Sequence, residues 1–212
     1  MERRELIRMI AAVTGAVVIG ADFFVSGCKV ADKKTGNEFS AADIELLDEI
    51  GETILPATDT PGAKAAEVGK FAALIITDCY TDRQHAVIKE GLAAIDARSK
   101  KINGKSFLES SPEQRHALLV MLEKEAKDAD ALTEKANREK RDIHEQTNAK
   151  LAWKEQKEFV NDPPHYYTLI KQLTLWGYFS SKPGTTQALR HVPVPGKYDG
   201  NYDYKKGDRA FS

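Results

Sequence analysis

Ile54-Leu55-Pro56-Ala57-Thr58-Asp59-Thr60-Pro61-Gly62-Ala63 is built almost wholly from turn chemistry and lies between two strongly helical segments. Pro56 ends the helix before it, because the residue preceding a proline is pushed out of the α region. Thr58, Asp59 and Thr60 can turn the chain through side-chain-to-backbone hydrogen bonds. Pro61-Gly62 then makes a tight turn or a helix start. The stretch fixes how one helix enters the next, and the rest of the chain repeats that pattern of helices and punctuation.

Upstream, Ser40 is a good N-cap with Asp43 three residues on, close to a capping box. Phe39 and Ile44 can form a hydrophobic staple. Leu47, Ile50 and Ile54 continue one apolar face, and Glu45, Asp48, Glu49 and Glu52 occupy the rest. Downstream, Ala63 to Tyr80 reads as a second helix, nearly all apolar in its latter half, and is the expected central core helix. Cys79 within it reads as a buried structural thiol. Thr81-Asp82 restarts the chain, and Val87, Ile88, Leu92 and Ile95 give a third amphipathic helix closed by Asn103-Gly104.

Ser111-Pro112-Glu113-Gln114 is a strong helix start, followed by Leu118, Leu119 and Leu122 on a buried face. From about 123 to 160 the sequence is mostly charged and reads as a solvated helical excursion, with Glu134/Arg138 and Arg141/Glu145 spaced for i, i+4 pairing. Leu132, Ile143, Leu151 and Trp153 are its only large apolar residues up to Lys157. Tyr166 to Trp176 gives a sixth helical segment with Leu169, Ile170, Leu173 and Trp176 on its apolar face. Trp176-Gly177-Tyr178-Phe179 is the densest aromatic cluster. Thr185 to Arg190 suits a short helix. Val192-Pro193-Val194-Pro195-Gly196 cannot be helical and reads as an extended strip. The tail to Ser212 carries Tyr198, Tyr202, Tyr204 and Phe211 and is expected to lie on a surface, its own or a partner's. The fold expected is an all-α, irregular bundle of about six helices with an extended C-terminal tail over 192–212.

The first 27 residues have the form of an export signal. Arg3-Arg4 precedes a mildly apolar run from Met9 to Val25 that is too short and too weakly apolar to span a membrane well. Paired arginines before a weakly hydrophobic stretch point to the twin-arginine route, which exports folded proteins. Val25-Ser26-Gly27-Cys28 resembles a bacterial lipobox, in which the cysteine thiol receives a diacylglyceryl group. The mature chain would begin at Cys28, followed by a polar, lysine-rich tether over 29–38 and one domain over 39–212. An acylated Cys28 leaves Cys79 no partner for a disulfide.

Little chemistry is visible. The net charge of −1 and the lack of a basic stripe exclude a nucleic-acid binder. The five histidines are scattered without metal-site spacing, and no CxxC, GxGxxG, phosphate loop or GxSxG occurs. His165 beside Tyr166-Tyr167 is the one suggestive constellation. The residues alone allow a subunit of a larger enzyme, or a stand-alone periplasmic lipoprotein that binds a small ligand or scaffolds the envelope.

Three stretches, in order, resemble one family. They are Ile54 to Ala63 with Val68 and Phe71, Trp176-Gly177-Tyr178-Phe179-Ser180-Ser181-Lys182-Pro183-Gly184, and Ala188-Leu189-Arg190-His191-Val192-Pro193-Val194-Pro195-Gly196-Lys197-Tyr198-Asp199-Gly200. Together they are similar to the small subunit, subunit 3, of membrane-bound FAD-dependent gluconate 2-dehydrogenase-type sugar dehydrogenases. The resemblance covers most of the mature chain. It implies a non-catalytic subunit with no cofactor of its own. The partner is a large flavoprotein of the glucose-methanol-choline type, which holds FAD, and a cytochrome c subunit usually takes the electrons on haem c. The small subunit's signal would carry the folded flavoprotein to the periplasm. Pro56, Asp59, Pro61, Gly62, Trp176, Tyr178, Phe179, Val192, Pro193, Pro195 and Tyr198 are the expected partner surface, since aromatic residues are enriched in interface cores. The lipobox departs from the family pattern, in which the complex usually anchors through its cytochrome.

Overall fold

Helices begin where the sequence supplies caps. A computed structural model describes residues 39–194, 196 and 199–211. Helix α1 (Ala41–Ile54) starts at Ser40, whose hydroxyl accepts the Asp43 N–H while the Asp43 carboxylate accepts the Ser40 N–H at 2.9 Å. Thr81 with Gln84 and Ser111 with Gln114 make the same reciprocal boxes for α3 (Asp82–Asn103) and α4 (Pro112–Asn148). Such a cap stabilises its helix by about 1 kcal/mol. Gly104, at φ 70°, closes α3 in the left-handed conformation that glycine adopts without steric cost. Helices α2 (Val68–Cys79) and α5 (Tyr166–Ser180) complete the long elements. A 3-10 turn at Trp153–Glu155 and a π turn at Gly184–Ala188 are short. The bundle is all-α; among the described residues the sole β pairing is a bridge between Arg190 and Phe211.

The apolar faces read from the sequence meet in one core. Leu47 and Ile50, Ile88, Leu92 and Ile95, Leu118 and Leu122, and Ile170 and Leu173 are all buried together with Phe107. Helices α5 and α1 each pack against all the other long helices, whereas α2 packs chiefly on α1, α5 and α3. That corrects the expectation for the second helix. On α2, Ile76 is buried but Leu74 is 59% exposed, so the apolar run of α2 has both an inward and an outward face. Helix α2 is also shorter than its sequence suggests. Residues 63–67 form tight turns, and Glu67 sits at φ 53°, which breaks helical continuity before Val68. Cys79 is exposed rather than buried, because the last three residues of α2 run out past the core.

Helix α5 continues beyond Trp176 to Ser180 and so contains the whole aromatic cluster. The charged stretch continues the helix begun at Ser111, giving one helix of 37 residues. The helical excursion expected to about residue 160 stops at Asn148: after a turn and a short 3-10 segment, residues 156–164 are extended and return along α4 as an irregular segment. Asn137 donates to the Asp162 carbonyl at 3.0 Å and accepts the Asp162 N–H at 2.8 Å. Glu134 and Arg138 pair as spaced, at 3.1 Å. Arg141 turns instead to Asn161 on the returning segment, at 2.9 Å.

The tail folds back on its own protein. The Arg190 N–H donates to the Ala210 carbonyl at 2.8 Å, and its guanidinium lies 4.7 Å from the Phe211 ring and 5.6 Å from that of Tyr202. Arg3, Arg4, the run from Met9 to Val25, Cys28 and the tether over 29–38, together with Pro195 and Tyr198, lie outside the described residues.

Candidate functional site

Glu52, in the last turn of α1, holds the 54–63 loop closed. One carboxylate oxygen accepts the Ala57 N–H at 2.8 Å and the other accepts the Lys64 N–H at 2.9 Å. The Ala63 N–H donates to the Leu55 carbonyl and the Thr58 N–H to the Thr60 carbonyl, both at 2.9 Å. Gly62 is buried against this carboxylate. A Cβ there would stand 2.3 and 2.4 Å from the two Glu52 oxygens and 2.6 Å from the Ala57 nitrogen, so no larger residue fits unless the loop moves. From the other side the Tyr178 hydroxyl donates to the Pro61 carbonyl at 2.7 Å. Ala63, Val68 and Tyr178 form a second small core, with Leu55, Ala66 and Ala188 packed on it. The turn chemistry thus becomes a rigid ledge between α1, the start of α2 and the end of α5.

Two further carboxylates of α1 fix its neighbours. Asp48 accepts the Gly69 N–H at 2.7 Å and so caps α2 from a distance, where Glu67 supplies no side-chain cap of its own. Glu49 pairs with Lys64 at 2.7 Å and with Arg115 of α4, which also donates to the Phe107 and Leu108 carbonyls. Burial pushes the Glu49 carboxyl up, but the Lys64 hydrogen bond and the Arg115 charge outweigh it and hold it below its ordinary value. The sequence places these carboxylates off the apolar face of α1 and does not say what they meet.

Outside the ledge lies an apolar strip. Trp176 is 53% exposed and meets Phe71 of α2 edge-on, with ring centroids 5.2 Å apart. Gly177 lets α5 approach: a Cβ there would lie 2.7 Å from the Phe71 ring. Leu74 stands one turn along α2 from Phe71, and Phe179 is exposed beside Tyr178 at 5.1 Å. The structure therefore brings Pro61, Gly62, Trp176, Tyr178 and Phe179 into one region. Gly62 and Tyr178 lie inside it and Trp176 and Phe179 outside. Pro56 and Asp59 are exposed on the outer side of the loop. Val192 and Pro193 follow the π turn and are exposed as well.

His165 serves the fold. It is the N-cap of α5, its ring nitrogen accepting the Tyr167 N–H at 3.3 Å, and its own N–H donates to Asp130 at 2.6 Å. Burial lowers its pKa, against the pull of Asp130 and Glu125. A groove of about 460 Å³ runs between α4 and α5, lined by Glu123, Lys127, Asp130, Tyr167, Thr168 and Lys171. Its polar groups satisfy one another: Lys171 pairs with Glu123 at 2.6 Å, and the Thr168 hydroxyl donates to Asp130 at 2.5 Å. Burial first, and then Glu123, push the Tyr167 phenol up to about 12. No group of three or more metal-ligating side chains occurs among the described residues.

No curated protein and no solved structure gives a match. The family described as Gluconate 2-dehydrogenase subunit 3 matches residues 41–196, a span that runs from the first turn of α1 through the ledge and the aromatic strip. This chain belongs to the gluconate 2-dehydrogenase subunit 3 family.

Proposed function

We propose that this chain is the non-catalytic docking and export subunit of a periplasmic, FAD-dependent sugar or sugar-acid dehydrogenase of the glucose-methanol-choline type. Family membership makes it an accessory subunit that associates with other gluconate dehydrogenase subunits. The flavoprotein partner holds FAD and oxidises the substrate, and a cytochrome c subunit, with haem c, is the natural acceptor in such an assembly. Cys28 carries the lipid anchor and Arg3-Arg4 directs twin-arginine export.

The observation that carries the reading is the exposed strip of Trp176, Phe179 and Leu74, backed by the Glu52-locked ledge. Large apolar side chains left in water on a rigid support suit an interface core. Export supplies the reason for a separate subunit. FAD is loaded in the cytoplasm, so its holder must cross folded, and a holder without a signal crosses only when bound to a chain that has one. Replacing both Arg3 and Arg4 by lysine tests this. The flavoprotein and its dehydrogenase activity then stay in the cytoplasm; a flavoprotein that still reaches the periplasm removes the escort role.

A further inference from the structure

The charged half of α4 is an arm with an unusual end. Arg98 of α3 bonds Glu125 of α4, while Arg83, at the start of α3, and Lys140 of α4 meet on Asp162 at 2.5 Å each. The two helices are therefore antiparallel, and α4 runs on past the α3 N-terminus. From Asn137 to Asn148 it extends a further ~17 Å. Its partners there are on its own returning segment. His144 Nε2 bonds the Lys157 carbonyl at 2.8 Å, and Phe159 packs against His144 and under Arg141.

The tip, residues 149–157, reads Ala-Lys-Leu-Ala-Trp-Lys-Glu-Gln-Lys. Trp153 is 83% exposed, and Leu151 is exposed beside it. Lys150, Lys154 and Lys157 are exposed, and no ion pair of the described residues includes them. An exposed indole with lysines on both sides of it in sequence, and one carboxylate, Glu155, among them, has the composition of a membrane-interface anchor: the ring prefers the headgroup level, and lysines meet anionic lipid.

The chain's path points the same way. Phe39, where the described chain begins, packs 5.1 Å from the His85 ring in the first turn of α3. The described chain thus begins at the end of the bundle from which the arm projects. Eleven residue steps separate Phe39 from Cys28, a reach of at most ~40 Å. That exceeds the arm's projection.

We propose that the tip of this arm, through Trp153, Leu151, Lys150, Lys154 and Lys157, seats in the headgroup region of an anionic phospholipid bilayer and gives the subunit a second, orienting contact with the membrane. The proposal uses the lipid anchor read at Cys28 to bring a bilayer within reach and does not depend on the flavoprotein. The test takes the mature lipidated chain in vesicles of phosphatidylglycerol and phosphatidylethanolamine. Trp153 emission is obtained as the difference between the parent and Trp153→Phe. It should shift to shorter wavelength on reconstitution, and lipids brominated in the upper acyl chain should remove most of it. Replacing Lys150, Lys154 and Lys157 with Glu should abolish both effects while leaving the far-ultraviolet circular dichroism unchanged. Emission that stays at its water-exposed wavelength and is untouched by brominated lipid overturns the proposal. So does a shift that appears only when flavoprotein is added without lipid, which assigns the tip to the protein partner. Flavoprotein capture by the same preparations, measured separately, shows whether the subunit reading stands whatever the tip does.

Discussion

Gly62 is held in place by a negative charge. The Glu52 carboxylate fills the space where a side chain would go, and it is pinned by two backbone N–H groups that the loop cannot otherwise satisfy among themselves. Gly62→Ala must push apart the loop or the carboxylate, and overpacking of that kind costs about 1–3 kcal/mol. Thermal unfolding of this variant should occur several degrees lower, with Tyr178→Phe losing less because it removes one hydrogen bond worth about 1 kcal/mol. Equal unfolding temperatures for Gly62→Ala and the parent would show that the loop is soft. Pro56 and Pro61-Gly62 announced a turn, because backbone stiffness and the lack of a Cβ are local properties. Glu52 gave no such notice: its role depends on where the loop returns, and that is set by Tyr178, distant in sequence.

Among the helices, starts were far more legible than neighbours. Ser40 and Ser111 cap the helices that the sequence has them start, and Thr81, read only as a restart of the chain, caps its helix in the same way, since capping is chemistry over three residues. The apolar run of α2 does not say which of its faces is covered; among the described residues Leu74 and Cys79 stay exposed. The Glu49 clamp shows the same limit, since it joins α1 to Lys64 of the loop and Arg115 of α4 across long sequence gaps. Its effect on pH dependence has a definite sign. The folded-state pKa of Glu49 lies below the ordinary 4.5. Its stabilisation is therefore fully present above pH 4.5 and is lost as pH falls through the lower folded value. Glu49→Gln should lower stability at pH 7 and flatten the acid side of the stability profile. Denaturant melts from neutral pH down to acid test this; a parent and a variant with parallel profiles would show that the clamp contributes nothing.

The molecule as a whole divides its labour. A core gathered around α1 and α5 is ordinary bundle packing. At one end of α5 the ledge and the Trp176–Phe179 strip face outward, and the α4 arm extends in its own direction with Trp153 at its tip. Among the large apolar side chains left exposed, Leu74, Trp176 and Phe179 lie by the ledge and Leu151 and Trp153 at the arm tip. The sequence placed the aromatic cluster and the tail but could not say that the tail would clasp Arg190, because cation–π pairing across such a span leaves no periodic trace. We propose above all that this chain binds a flavoprotein. The direct test is to co-express the full-length chain with a signal-less flavoprotein of the glucose-methanol-choline type, purify through a tag on the small chain, and follow protein and flavin absorbance through size exclusion. One yellow peak containing both chains is expected, lost when Trp176 and Phe179 are replaced by serine. A small chain that elutes alone, colourless and monomeric, contradicts it.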